Sequence, residues 1–282
     1  MILVTGATGQ VGGEVLKQAL TAGVPVRALA RDAVKAESLP DFAEIVIGDF
    51  ADPASLDAAV EGVDAVFMAS FDGEQQAALQ GNLIAACKSA GVRHVVRLSA
   101  LTADANTDQM LPRWHGIADL QLAESGLGYT LLRPGWFMQI LLYYAPGGTI
   151  ALPAGDSRAT PIDVRDIAAV ALAALTEPGH DGQTYLLSGP ETLTWDEIAE
   201  QLTAGTGHPF TYDAISDEAY RASTASRGYA DWAVDMVAEL FVRTRAGDYS
   251  VRTDTVERVT GKPPPSIADF VHDHAAELVA DS

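Results

Sequence analysis

Three glycines at three-residue spacing, Gly6, Gly9 and Gly12, follow a short apolar run and precede a helical pattern. That order suits a dinucleotide. The turn lets a pyrophosphate approach backbone N–H groups at a helix N-terminus, and Gly12 lets the helix lie close on the preceding strand. Thr8, Gln10 and Val11 complete the turn and join the glycines as candidate cofactor contacts; a β-turn-α corner without ligand is the alternative. His115 and Asp119 stand four residues apart in a helical stretch, on one face, where a carboxylate orients an imidazole and raises its basicity. A surface or capping histidine accounts for the same spacing. His272 and His274 are two apart and point to different faces, so no metal pair is expected. Cys87 sits in the apolar sequence Leu83-Ile-Ala-Ala-Cys87 and reads as a buried thiol, not a nucleophile.

The elements that position these residues alternate as strands and crossover helices, the pattern of a doubly wound parallel sheet. Strands are expected at Ile2–Thr5, Val26–Ala30, Ile45–Ile47, Ala65–Ala69, His94–Ser99 and Tyr129–Arg133. Helices are expected at Val11–Ala22, Pro53–Val60, Gly73–Ala90 and Leu111–Ser125. The strand ends supply further candidates. An acidic residue at the end of the second strand favours NAD, whereas Arg accommodates the extra phosphate of NADP. Arg31 stands there, followed by Asp32, which either faces the ribose or caps the next helix. The reading is NADPH, with NADH as the alternative and Arg27 as a second contact if the strand twists that way. Asp49 and Phe50 are placed at the adenine edge, and Ala69 and Ser70 beside the ribose. Ser99, at the fifth strand's end, either bonds substrate or nicotinamide or only forms a turn. After the sixth strand, Trp136, Phe137, Met138 and Tyr143 offer a roof for a flat apolar substrate, or ordinary packing.

Composition narrows the classes. The 282 residues are 48% hydrophobic and carry a formal charge of −20, which argues against nucleic acid as a partner. No apolar run reaches the roughly 18 residues of a membrane span, and a cytoplasmic protein is expected. Residues 1–150 read as a dinucleotide-binding Rossmann core. Residues 151–282 read as mainly a smaller, mostly helical substrate lobe, with 160–190 returning to the sheet. Helices are expected at Asp163–Leu175, Ser216–Arg227, Asp231–Arg243, Thr253–Val259 and Ser266–Leu278, a strand at Gln183–Leu187, and a capping box at Thr194 and Glu197. Aromatics on a helical lobe leave a homodimer open.

Four segments together carry a family resemblance: Thr5-Gly-Ala-Thr-Gly-Gln-Val-Gly12, Val26-Arg-Ala-Leu-Ala-Arg-Asp32, Ser125-Gly-Leu-Gly-Tyr-Thr-Leu-Leu-Arg-Pro134 and Ile162-Asp-Val-Arg-Asp-Ile167. With Val256-Glu-Arg-Val-Thr-Gly-Lys-Pro-Pro264, they resemble the NmrA-like group of atypical short-chain dehydrogenases/reductases over nearly the whole chain. The resemblance implies an NADPH-dependent reductase acting on a quinone, enone or carbonyl of a small aromatic substrate. The group also contains non-catalytic NADP(H) sensors, and a nucleotide-fold isomerase, dehydratase or coupling enzyme is a further alternative. Ordinary members of the wider superfamily use a Tyr-x-x-x-Lys pair, but none of the eight tyrosines here has Lys four residues later. Related aromatic-alcohol reductases carry lysine at the position of His115, and similar quinone reductases carry histidine. The resemblance thus makes His115 the proton donor or substrate-orienting group, with Asp119 and Ser99 beside it.

Overall fold

The computed structural model describes residues 1–40 and 43–280. Its chain forms two compact units: Met1–Arg133 with Val164–Leu186, and Pro134–Asp163 with the chain from Leu187 onward. The first stretch of the first unit thus ends at Arg133, short of the boundary near residue 150 read from the sequence.

In the first unit, β1 (Ile2–Val4) leads into α1 (Gln10–Thr21), β2 (Val26–Ala30), the short α2 (Ala33–Ala36) and β3 (Glu44–Ile47). Then come α3 (Pro53–Val60), β4 (Ala65–Met68), α4 (Gln76–Ala90), β5 (His94–Leu98), α5 (Met110–Ala123) and β6 (Gly128–Pro134). Every residue of β1 and β4 is buried, as strands covered on both faces require. Parallel registers join them, with Val4 opposite Phe67, Ala28 opposite Ile45 and Met68 opposite Arg97. The helices follow their sequence signals. Val11, Val15, Leu16 and Ala19 form the buried face of α1, Asp52 and Pro53 start α3, and left-handed Gly91 ends α4.

The chain then leaves for the second unit through α6 (Leu141–Tyr144), β7 (Thr149–Leu152) and β8 (Arg158–Ala159), and returns as α7 (Val164–Thr176) and β9 (Gln183–Leu187). The completed sheet has seven strands in the order β3-β2-β1-β4-β5-β6-β9, the doubly wound arrangement expected. Helices α1 and α7 pack together, as do α3, α4 and α5. A core of Leu3, Leu56, Val66, Leu83, Val95, Leu122 and neighbours lies under the second group, with Cys87 fully buried in it.

The second unit continues with β10 (Leu193–Thr194), α8 (Trp195–Thr206), β11 (Thr211–Ala214), α9 (Asp217–Ser226), α10 (Asp231–Arg245), α11 (Thr255–Thr260) and α12 (Ile267–Leu278). It is mainly helical, and the Thr194–Glu197 capping box opens α8 as read. Two small sheets were not foreseen. β7 pairs in parallel with β11 and β8 antiparallel with β10, across long sequence separations that local patterning does not encode. Trp195, Phe241 and Phe270 anchor its core. No described helix is long and apolar enough to cross a membrane.

Candidate functional site

The glycine turn has the geometry of an anion cradle. Gly6 adopts φ +63°, a left-handed conformation that favours glycine, and Gly9 N–H donates back to the Gly6 carbonyl at 2.9 Å. A methyl group on Gly12 would lie 2.3 Å from the Gly6 oxygen, so this helix can approach the turn only because the residue is glycine. The N-terminus of α1 receives no side-chain cap and has no acidic residue in its first turn. Its unpaired N–H groups and the dipole of a twelve-residue helix are left for an external anion, which fits a pyrophosphate. Gly6, Thr8, Gly9 and Gln10 are exposed, whereas Val11 and Gly12 are buried and contribute packing and backbone.

The strand ends gather the other expected cofactor residues. Thr5 Oγ1 donates to the Ala69 carbonyl at 2.9 Å, and a Cβ on Gly6 would sit 3.2 Å from that of Ala69, so the first and fourth strand ends meet beneath the turn. Ser70 Oγ accepts from Gln80 Nε2 at 2.8 Å. Arg31 is exposed just past the end of β2, and Asp32 caps α2 by accepting from Lys35 N–H at 2.8 Å through one carboxylate oxygen while the other lies 3.8 Å from Arg31 Nε. Arg27 lies near the opposite end of the same strand. It is bound to Glu44 and to the carbonyls of Ala59 and Glu61, so it is not a second cofactor contact. Asp49 stabilises its own loop by accepting from Ala51 N–H, and Phe50 leans on the core.

His115 and Asp119 are both buried on α5, but they do not pair with each other. Asp119 accepts from Arg97 Nη1, from Ser99 Oγ at 2.8 Å, and from Arg133 Nε and Nη2 at 3.0 and 2.7 Å. The reason is charge. Arg97 is fully buried in the middle of β5, and a guanidinium removed from water must be met by a carboxylate. Ser99 spends its hydroxyl proton on the same carboxylate, which removes it as a donor to substrate.

The acid that holds His115 is Asp72, on the loop after β4, with Oδ1 2.9 Å from His115 Nε2. Arg97 Nη2 lies 3.4 Å from His115 Nδ1. Because a guanidinium only donates, Nδ1 accepts, and Nε2 carries the proton toward Asp72. Burial pushes the Asp72 carboxyl up, but hydrogen bonds from His115 and Gln76 and the nearby charge of Arg97 outweigh it and hold the pKa below its ordinary value. Gln76 Nε2 donates to Asp72 at 2.9 Å, Gln80 Oε1 accepts from Arg97 Nε at 2.7 Å, and Gln76 Oε1 is a buried acceptor without a donor. Sequence reasoning missed Asp72, Gln76, Gln80, Arg97 and Arg133. One signal was available: an arginine inside the apolar run His94-Val-Val-Arg-Leu98 demands a buried anion. Another was Gly116, where a Cβ would meet Ala105 N at 2.2 Å, so a loop can close on α5 beside His115.

In the second unit the expected aromatic roof divides. Met138 is 1% exposed and belongs to the core. Trp136 stacks on Phe241 at 5.2 Å, lies 5.4 Å from Tyr249 and donates to Thr244 Oγ1, so packing claims it too. Phe137 is half-buried, bridged through its backbone to Ile162. Tyr143 alone of the four is exposed. Cys87, its pKa pushed up to about 12 by burial, is inert as read. No cluster of metal-ligating side chains occurs among the described residues.

The comparisons agree with this geometry. Residues 6–178 match the model of a family described as NAD(P)H-binding. The chain is 38% identical to an NAD(P)H azoreductase of Xenophilus azovorans, over 99% of this chain and all of the relative. It is 33% identical to quinone oxidoreductase 2 of Escherichia coli K12, over 96% of this chain and 97% of the relative. The crystal structure of the E. coli NADPH-dependent quinone oxidoreductase in complex with NADPH superposes with a TM-score of 0.87 at 32% identity, covering 97% of this chain and 99% of that one. From its glycine turn to the end of α7, and in its near full-length likeness to these reductases, the chain belongs to the NAD(P)H-binding family.

Proposed function

We propose that this chain is an NADPH-dependent oxidoreductase that reduces an electron-poor aromatic acceptor such as a quinone or azo compound, or a related enone or carbonyl. The observation that carries the reading is the uncapped N-terminus of α1 behind Gly6 and Gly12, a cradle built for a dinucleotide. The quinone and azo reductases among its relatives support the acceptor class.

Gly6, Thr8 and Gln10 hold the pyrophosphate through backbone N–H groups, with Gly9 closing the turn beneath it and Val11 and Gly12 fixing the helix behind them. Arg31 takes the 2′-phosphate by a charge-assisted bond, Asp49 and Phe50 edge the adenine, and Ala69 and Ser70 border the ribose. The dinucleotide, when bound, supplies hydride. His115 supplies the proton-handling group. Its Nε2–H is directed at Asp72, and the acceptor atom that gains negative charge, oxygen in a quinone or nitrogen in an azo compound, competes with Asp72 for that one hydrogen bond. Asp119 is a positioning residue that acts through Arg97, and Ser99 steadies Asp119. Phe137 and Tyr143, the substrate candidates that packing leaves half-buried or exposed, are the acceptor contacts of this reading.

The test is oxidation of NADPH and NADH, followed by absorbance across quinones and azo compounds, for wild type, His115→Ala and Arg31→Ala. Wild type turns over. His115→Ala loses ~10²-fold in kcat with NADPH binding retained. Arg31→Ala loses about tenfold of the preference for NADPH over NADH. Tight NADPH binding by wild type without turnover of any acceptor overturns the reading and leaves a dinucleotide sensor.

A further inference from the structure

The second unit contains a cavity of about 580 Å³ that the cofactor cradle does not involve. Leu142 and Ile215 give it apolar surface, and Tyr143, Tyr144, Tyr220 and Arg227 give it rings and donors. Its volume is that of a small-molecule site.

The donors are arranged unusually for this chain. Tyr144 and Tyr220 pair through their hydroxyls at 3.2 Å, and Tyr143 pairs with Tyr229 in the same way. Each phenol pair consumes one O–H and leaves the other free to donate. Burial, reinforced by the facing Tyr220, pushes the Tyr144 phenol up, so it stays protonated and a donor. Arg227 lies over the Tyr143 ring, 5.9 Å from its centroid, and no carboxylate pairs with it among the described residues. Arg158, Arg221, Arg243 and Arg245 of the same unit are each matched to a carboxylate; Arg252 is unmatched as well among the described residues, but of the two only Arg227 lines the cavity. No Asp or Glu lines the cavity, in a chain with 38 acidic and 18 basic side chains. A cation finds no partner there, whereas an anion meets a guanidinium and uncommitted phenols between aromatic faces.

We propose that this cavity binds a flat aromatic compound carrying a carboxylate or sulfonate, with Arg227 as its charge partner and the Tyr144–Tyr220 pair as its hydrogen-bond donor. Naming that compound as the electron acceptor rests on the reductase reading above; the binding itself does not.

The experiment is calorimetric titration of the full chain, without cofactor and at low ionic strength, with naphthalene-2-sulfonate and with neutral naphthalene-2-sulfonamide. Wild type binds the sulfonate about tenfold more tightly than the sulfonamide, the difference expected for one charge-assisted contact. Arg227→Gln levels the two affinities, Arg227→Lys keeps part of the preference, and Arg252→Gln, on an exposed arginine that does not line the cavity, keeps all of it. Equal binding of both probes by wild type overturns the proposal, as does an equal loss in Arg227→Gln and Arg252→Gln. Turnover of a neutral quinone by wild type reports separately on the reductase reading, so either can fail while the other stands.

Discussion

The glycine turn after β1 and the charged cluster around Arg97 belong to the same sheet, yet one works by lacking side chains and the other by matching them. The turn is closed by bonds among near neighbours, Gly9 N–H to the Gly6 carbonyl and Gly13 N–H to the Gly9 carbonyl. The cluster draws on α4, β5, α5, β6 and the loop after β4, and binds them through Gln80, Arg97, Asp119, Arg133, His115 and Asp72. In the turn a substitution fails because an added atom meets backbone. In the cluster it fails because a buried charge loses its counterpart. The first failure is steric and local, the second electrostatic and shared by several elements.

The largest effect should come from the cluster. Asp119→Ala strips Arg97 and Arg133 of their common carboxylate and leaves a fully buried guanidinium uncompensated, a loss of ~3–5 kcal/mol in unfolding free energy. Urea unfolding of the variant measures it. A loss under ~1 kcal/mol would mean that water or a rearranged partner reaches Arg97, and the contrast with the turn would collapse. Next in size is Gly12→Ala. Its methyl group would meet Gly6 and Thr5 backbone atoms at 2.3–2.8 Å, so the cost is at the upper end of overpacking, about 3 kcal/mol, with NADPH affinity falling alongside. Gly81→Ala within α4 provides the opposite sign. There the new Cβ meets nothing nearer than 3.7 Å, and helix propensity favours Ala by about 1 kcal/mol. The same substitution should therefore destabilise one helix and stabilise another.

The same division explains what could be read from the sequence. The turn, the six strands up to Arg133, the return strand at Gln183–Leu187 and the cap at Thr194 all rest on spacing within a few residues, and the structure has each of them. His115 was legible because histidine in a helix draws notice, but its partner was not. Helical spacing pointed to Asp119, while Asp72 is 43 residues away and reaches His115 only after β4 and α5 are docked in the sheet. The apolar density after β6 pointed equally to packing and to substrate. Packing claims Trp136 and Met138 because Phe241 and Tyr249 arrive from the far C-terminal helices and their connection. The strands β7 and β11 escaped notice for the same reason, each being short and paired only with the other.

The smallest of the effects is the one that separates Asp72 from Asp119. Asp72 is partly exposed, so replacing it with Asn leaves no naked buried charge, and the fold should bear Asp72→Asn far better than Asp119→Ala. Its signature lies in pH. His115 and Gln76 hydrogen-bond the ionised carboxylate and Arg97 attracts it, which holds its folded-state pKa below the ordinary 3.8. A carboxylate depressed on folding contributes stability that is complete above its unfolded pKa and is lost as pH falls through the folded one. The stability gap between wild type and Asp72→Asn should therefore be constant near neutrality and narrow below pH 3.8, as unfolding curves at a series of pH values would record. A gap that instead closed between pH 5 and 8 would follow the titration of an imidazole, and would locate the stabilising charge on His115 rather than on Asp72.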